Sequence, residues 1–374
     1  MKIQCKIDKF TQLFSIISSF AANKAPRLLM CCVKLEADDK FATMSATDGA
    51  VGARGKLPIG DGIVVYEPGE VVLPAALLKR ILVESNDDEF SLETDGARAI
   101  FKGARSKYYL DLPTDAKKFP TVEPFEEENY FKIPSKELRK LIRRTVFATD
   151  LDNTHYGLEC VKLIFEPKRA LGVATDGRRL PCQTVAIECV GDQEARDDTC
   201  ITPRSLNLIE RVAAVVKAED ALVALKSSQL ALIKLGDVEI ASTVKIGKFP
   251  DWQSIFPPKT DCKRVNFIAG ELARAIRQAS VVATPEKPGV RFFFNGAGIV
   301  NISATGESVG VASVDIPVDY DGEEKRLILD ERFLNDFFKN VDPEETVAFY
   351  FGKDYRTMLE TSDGYQYVVM QMAK

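Results

Sequence analysis

The chain has 374 residues, 45% of them hydrophobic and 28% charged, with a formal net charge of −5 at neutral pH. No apolar run approaches the ~18 residues of a membrane helix, and Met1-Lys2-Ile3-Gln4-Cys5-Lys6 lacks a signal peptide's apolar stretch. One histidine leaves a Ser-His-Asp triad or a zinc site little to draw on, and eight cysteines without a CxxC pair read as buried, reduced thiols of a cytoplasmic protein.

A helix is predicted over residues 7–20, and Cys5, Phe10 and Leu13 set an apolar spacing of 0, 5 and 8. A strand over 41–46 alternates into Asp48-Gly49, a hairpin signal because both residues tolerate positive φ. A helix follows over 73–82 with Pro74 in its first turn, where a missing N–H costs nothing. Then the series begins again. Ile133, Leu138 and Leu141 repeat the first spacing, and a helix is predicted over 133–144. His155, between Thr154 and Tyr156, reads as a surface residue of a polar turn. A strand over 171–174 runs into Asp176-Gly177, and a helix follows over 201–217 with Pro203 near its start. The third passage is looser: Phe267, Leu272 and Ile276, a helix over 268–280, a strand over 298–302, Gly306 without the aspartate, and a helix over 329–340.

The repetition has a fixed offset. Ser45-Ala46-Thr47-Asp48-Gly49-Ala50-Val51 returns as Ala174-Thr175-Asp176-Gly177-Arg178-Arg179-Leu180 and as Ser303-Ala304-Thr305-Gly306-Glu307-Ser308-Val309, its threonines 128 and 130 residues apart. Phe119-Pro120 returns as Phe249-Pro250, again 130 later. A period near one third of the chain means three tandem copies of one α+β domain, each with two helices on antiparallel sheets. Boundaries are expected at 1–127, 128–257 and 258–374.

Charge is divided unevenly. The six predicted helices carry +8 together while the whole chain carries −5, so the remainder carries −13, the difference of the two. In the third helix, Lys136, Arg139, Lys140, Arg143 and Arg144 fall on one face, with Leu138, Leu141 and Ile142 opposite. A solvated amphipathic face is the plain reading of one such helix, but like charges stacked without compensation fit a polyanion such as duplex DNA alongside.

Three segments resemble the bacterial DNA polymerase III β subunit family, the sliding clamps. Ala174-Thr175-Asp176-Gly177-Arg178-Arg179-Leu180 is similar to that family's ATDGHRL, with Arg178 for His. Gly247-Lys248-Phe249-Pro250-Asp251-Trp252 is similar to its G-[KR]-FPDY. Tyr367-Val368-Val369-Met370-Gln371-Met372 is similar to its YVVMPM, with Gln371 for proline. Phe147-Ala148-Thr149-Asp150 followed by His155-Tyr156-Gly157-Leu158 is a weaker match.

The resemblance implies DNA-clamp domains in a head-to-tail homodimer, a six-domain ring with helices inward. Such a ring encircles duplex DNA without reading sequence and tethers the replicative polymerase. It is a processivity factor rather than an enzyme, and needs no cofactor, metal or catalytic residue. Partners, including the clamp loader and repair proteins, would share a linear peptide. The matching peptide-pocket residues are Leu158, Thr175, Gly177, Arg178, Arg179, Leu180, Pro250, Ile255, Val368, Val369, Met370 and Met372. Ser254, where an arginine is common, and the Ala373-Lys374 terminus depart from the pattern. DNA-facing positions would be Lys24, Arg27, Lys79, Arg80, Lys136, Arg139, Lys140, Arg143, Arg204, Arg211, Arg274 and Arg277. The dimer interface would use Tyr108 and Leu110 of one chain with Val281 and Val282 of the other. Three competing readings are a two-domain trimeric clamp, a carboxylate enzyme and a monomeric adaptor. The threefold repeat opposes the first and the single histidine the second, while solution mass separates the third.

Overall fold

Each helix in this protein starts where a strand ends. The computed structural model describes residues 1–373 apart from 61, 114–115, 151, 153–156, 228, 246, 285 and 307–308, so His155, Glu307 and Ser308 lie outside the described residues. The first third contains β1 (Lys2–Lys6), α1 (Ile7–Ser18), β2 (Cys32–Ala37), β3 (Phe41–Thr47), β4 (Val51–Pro58), β5 (Ile63–Glu67) and β6 (Gly69–Pro74). It ends with α2 (Ala75–Glu84), β7 (Glu89–Thr94), β8 (Arg98–Lys102) and β9 (Lys107–Asp111). The second third contains β10 (Tyr130–Pro134), α3 (Ser135–Arg143), β11 (Val161–Glu166), β12 (Arg169–Val173), β13 (Arg179–Ala186), β14 (Glu188–Val190) and β15 (Arg196–Ile201). It ends with α4 (Pro203–Val215), β16 (Asp220–Ser227), β17 (Leu230–Leu235) and β18 (Val238–Thr243). The last third contains β19 (Lys263–Ile268), α5 (Ala269–Ala279), β20 (Gly289–Phe294), β21 (Ile299–Gly306), β22 (Gly310–Pro317) and β23 (Lys325–Asp330). It ends with α6 (Glu331–Phe338), β24 (Thr346–Phe351), β25 (Arg356–Thr361) and β26 (Gln366–Met370).

The element order is therefore the same in all three thirds, except that the third has no counterpart of β5 or β14 among the described residues. The fold is α+β with antiparallel sheets, as expected. Four helices start about two residues later than their patterns predicted, because Leu73, Ile133, Ile201 and Leu329 belong to strands and are buried there. A buried strand end followed directly by an amphipathic helix extends the apolar face without a break, so periodicity alone misplaces the boundary. Pro74 closes β6 with φ −60° and ψ 114°, and Pro203 opens α4.

Contacts divide the chain into two units. One comprises Met1–Leu138, Ile187–Glu194 and Arg204–Val244. It holds a five-stranded sheet, β5-β1-β7-β8-β9, and a nine-stranded sheet, β14-β10-β16-β17-β18-β4-β3-β2-β6. The other comprises Arg139–Ala186, Ala195–Pro203 and Lys245–Lys374. It holds an eight-stranded sheet, β15-β11-β12-β13-β26-β25-β24-β19, and a four-stranded sheet, β22-β21-β20-β23. Each larger sheet joins two repeats by one rule. β18 pairs antiparallel with β4, setting Ser242 opposite Val51, and β26 pairs antiparallel with β13, setting Val369 opposite Arg179. Val51 and Arg179 are 128 residues apart, so the joint repeats with the sequence.

The repeated phrase ties its own turn. Thr47 Oγ1 accepts from Gly49 N and donates to Val51 O, both at 3.0 Å, while Asp48 Oδ1 accepts from Ala50 N and Val51 N at 2.9 Å. Thr175 and Asp176 make the equivalent bonds, and Gly49 and Gly177 adopt φ of +94° and +82°. Gly306 serves differently: a Cβ there would collide with the Val282 carbonyl oxygen, so close approach excludes any larger residue.

In the last third, Phe337 of α6 stacks against both Tyr365 and Tyr367, which stand side by side, with centroids 5.1 and 5.3 Å away. All eight cysteines are free. Five are buried and Cys31, Cys189 and Cys262 are half-buried, which corrects the expectation of uniform burial. Burial pushes the Cys5 and Cys182 thiols up to about 12, so both stay protonated.

Candidate partner-binding cleft and basic surfaces

β13 and β26 build the cleft because strand alternation sends neighbouring side chains to opposite faces. Val368 lies with Leu180 and Phe249 in one apolar cluster, against which Ile255 and Trp252 pack. Val369, the next residue, points into the other core beside Phe337 and Tyr367. On the Val368 side is a hollow of about 280 Å³, lined by Thr175, Gly177, Arg178, Arg179, Leu180, Ser254, Ile255, Arg356, Val368 and Met370. Eight of the twelve expected pocket residues meet there. The other four lie outside it. Leu158 is buried, with its carbonyl accepting from Asp150 N, and Pro250 is half-buried. Val369 is core, and the Met372 sulfur lies beside Gly289 while its N–H donates to Ile328 O.

The two adjacent arginines differ. Arg178 is exposed. Arg179 is clasped: it reaches Asp176 at 2.9 Å, Asp336 at 2.7 Å and the Phe147 carbonyl at 2.9 Å, and its guanidinium lies over the rings of Phe147 and Phe333. Burial works against its charge, but Tyr367, Asp336 and Asp176 outweigh that and raise its pKa. Gln371 has a use that proline would lack, since its N–H donates to Tyr355 O at 2.7 Å and extends the β25–β26 edge.

Sequence reading missed Arg356. Its Nη1 donates to the Ser254 and Ile255 carbonyls at 2.9 and 3.2 Å, while Nε donates to Asp354 at 2.7 Å. It supplies a guanidinium beside Ser254, the position that lacks one. No motif marked it, because the contact spans about a hundred residues and depends on how β25 lies beside the 252–256 segment.

Of the basic residues, Lys24, Arg27, Lys79, Arg80, Lys136, Arg143, Arg204, Arg211, Arg274 and Arg277 are exposed, and Arg139 and Lys140 are half-buried. Lys79, Arg204 and Arg211 meet at one hollow of about 530 Å³ beside Ser18 and Asn23, where Arg204 also pairs with Asp48. With the observed bounds the six helices carry +5, leaving −10 elsewhere as the difference from −5.

Arg144 corrects the proposed basic face. It lies just past α3, 6% exposed, with Nη1 on Asp363 at 2.7 Å and on Gln183 at 2.7 Å, and its guanidinium over Tyr365. Burial would raise the Asp363 carboxyl, but Thr361 and Arg144 outweigh it and hold the pKa below the ordinary value of 3.8. A depressed acid pKa stabilises the fold above its unfolded value, and that stability is lost as pH falls through the folded value. Arg144→Ala is therefore expected to lower stability by about 2 kcal/mol, a partial-exposure discount on the usual loss for breaking a buried pair. Urea unfolding at pH 7 and near pH 3 checks it: the difference between the proteins should shrink at the lower pH.

At the expected interface positions, Val281 is 78% exposed, while Val282 packs on the core of the last third. Tyr108 is half-buried and Leu110 is buried in its own protomer, so on β9 the exposed ring belongs to Tyr109. Among the described residues, no cluster of three His, Cys, Asp or Glu side chains could hold a metal, and no helix is long and apolar enough to cross a membrane.

Residues 132–251 match the family model of the DNA polymerase III beta subunit, central domain. A curated relative called Beta sliding clamp, from Halalkalibacterium halodurans, is 23% identical over 349 residues, 91% of each chain. Its namesake from Staphylococcus aureus is 23% identical over 359 residues, 94% of this chain and 93% of the relative. Among solved structures, the DNA polymerase sliding clamp from Bacillus subtilis has a TM-score of 0.92 at 20% identity, covering 100% of this chain and 99% of that one. The DNA polymerase III subunit beta from Pseudomonas aeruginosa has a TM-score of 0.90 at 22% identity, covering both chains fully.

Proposed function

This chain belongs to the bacterial DNA polymerase III beta subunit family, the sliding clamps, and we propose that it acts as a head-to-tail dimeric ring of three domains per chain (1–127, 128–257 and 258–374). It is a processivity factor of DNA replication and not an enzyme. The ring holds duplex DNA in the cytoplasm through contacts to phosphates, which fix position without reading sequence.

The observation that carries the dimer is the repeated joint. β4 receives β18, and β13 receives β26. The next strand of the β4 and β13 type is β22, and the remaining strand of the β18 and β26 type is β9. Each ends its own sheet. One further use of the rule pairs β9 of one chain with β22 of the next, and two such joints close a ring. An isologous pairing of β9 with β9 would break the rule, so head-to-tail association is the consistent choice.

The cleft takes partner proteins by a short extended peptide. Aliphatic walls from Leu180, Val368 and Ile255 accept Leu or Phe side chains, and exposed Met370 adapts to their shape. Because Met370 is 38% exposed, Met370→Asp should leave the fold intact while placing a charge in the cleft. A fluorescent Leu/Phe-containing polymerase peptide is expected to bind the variant at least tenfold more weakly by anisotropy, with dimer mass unchanged. Equal affinity would move the peptide site elsewhere.

A further inference from the structure

The cleft does not end at Arg356. Beyond that side chain lies a second and larger hollow, about 480 Å³, between Pro257 and Pro258 on one side and the 352–354 turn on the other, with Arg356 lining both hollows. Arg356 is a fixed ridge between them. Nε and Nη2 hold Asp354 at 2.7 and 2.6 Å, and Nη1 holds two backbone carbonyls. The hollows differ in chemistry. The first has Leu180, Val368, Ile255 and Met370 on its walls, whereas the second sets Lys353, Asp354 and Asp261 among Pro257, Pro258 and Cys262, so it mixes charge with apolar surface. Asp354 already holds Arg356, and exposed Asp261 on the other side accepts from Thr260 Oγ1, so the hairpin wall offers Lys353 as the exposed positive charge of the hollow.

We propose that the second hollow receives the polar residues flanking the apolar anchor of a bound peptide, with an acidic side chain of that flank meeting Lys353. This rests on the reading of the first cleft as the anchor site. An extended segment advances about 3.3 Å per residue and turns alternate side chains to opposite sides, so one chain crossing Arg356 can fill an apolar hollow and then one that carries charges. Partners sharing the same anchor would then differ in affinity according to their flanks.

Anisotropy titrations of the full-length protein test this with three labelled synthetic peptides. One is a five-residue Leu/Phe anchor, and the other two carry an Asp/Ser-rich flank at its N-terminal or its C-terminal end. One flanked peptide is expected to bind at least fivefold more tightly than the anchor. That gain should vanish in Lys353→Glu, whose affinity for the anchor alone stays at the wild-type level, and with a Lys-rich flank on the wild type. No gain at either end, or a gain that survives Lys353→Glu, overturns the proposal while leaving the anchor site standing. An anchor that fails to bind overturns both.

Discussion

Changing Val281 and Val311 together to Asp is expected to convert the dimer into a monomer. The two side chains are 78% and 71% exposed in the single chain, and they lie on elements that touch, so together they present apolar surface at one place. Val281 belongs to the short turn Ser280–Val282, which packs on β21 and β22, and Val311 lies on β22 itself. Both therefore border the strand left unpaired by the sheet rule. Covering a valine is worth roughly 1.5–3 kcal/mol, and the variant would also force two carboxylates out of water at each joint. Two joints per ring double the effect. Sedimentation equilibrium should give the dimer's mass for the wild type and 41.4 kDa for the variant, with thermal melting little changed because neither side chain packs in the protomer core. A variant that stays dimeric would place the interface away from β22. Val282 makes a poorer probe, since it packs on the protomer's own core and a charge there would confound association with folding.

The sequence was readable where structure is local. The Thr-Asp-Gly phrase could be recognised as a turn because it is closed by bonds among residues three and four apart. All six helices stood out because each buries one face. Their first residues did not, since Leu73 or Ile133 has equal reason to be buried at the end of a strand. Contacts between distant segments were harder. Val368 and Val369 are chemically identical, and only the pairing with Arg179 and Leu180 decides which one faces the cleft. Arg144 continues the basic series of α3 in sequence, but the chain leaves the helix there, and Asp363 and Tyr365 draw the side chain inward. Charge spacing on a predicted helix cannot foresee a carboxylate more than two hundred residues away.

Replacing Lys136, Arg143 and Arg274 with Glu is expected to abolish retention on DNA without altering the ring. These three residues are exposed on α3 and α5, and Lys140 on α3 is only half-buried beside Asp363 at 3.4 Å. If each touches a phosphate, each contributes close to one unit to the slope of log affinity against log salt, whatever the DNA sequence. Removing three contacts per chain, and so six per dimeric ring, should lower that slope by about five, and reversing the charges adds repulsion from a polyanion carrying one negative charge per ~1.7 Å of axis. The acidic remainder of the chain, −10 outside the helices, cannot replace them. Loaded onto nicked circular DNA, the wild type should be retained longer than on linear DNA, from which a ring slides off at the ends. The variant should lose that retention on every sequence tried, with dimer mass and melting temperature preserved. Unchanged retention together with an unchanged salt slope would turn these two helices away from the DNA, and the reading of the basic surfaces as the bore of the ring would fall with them.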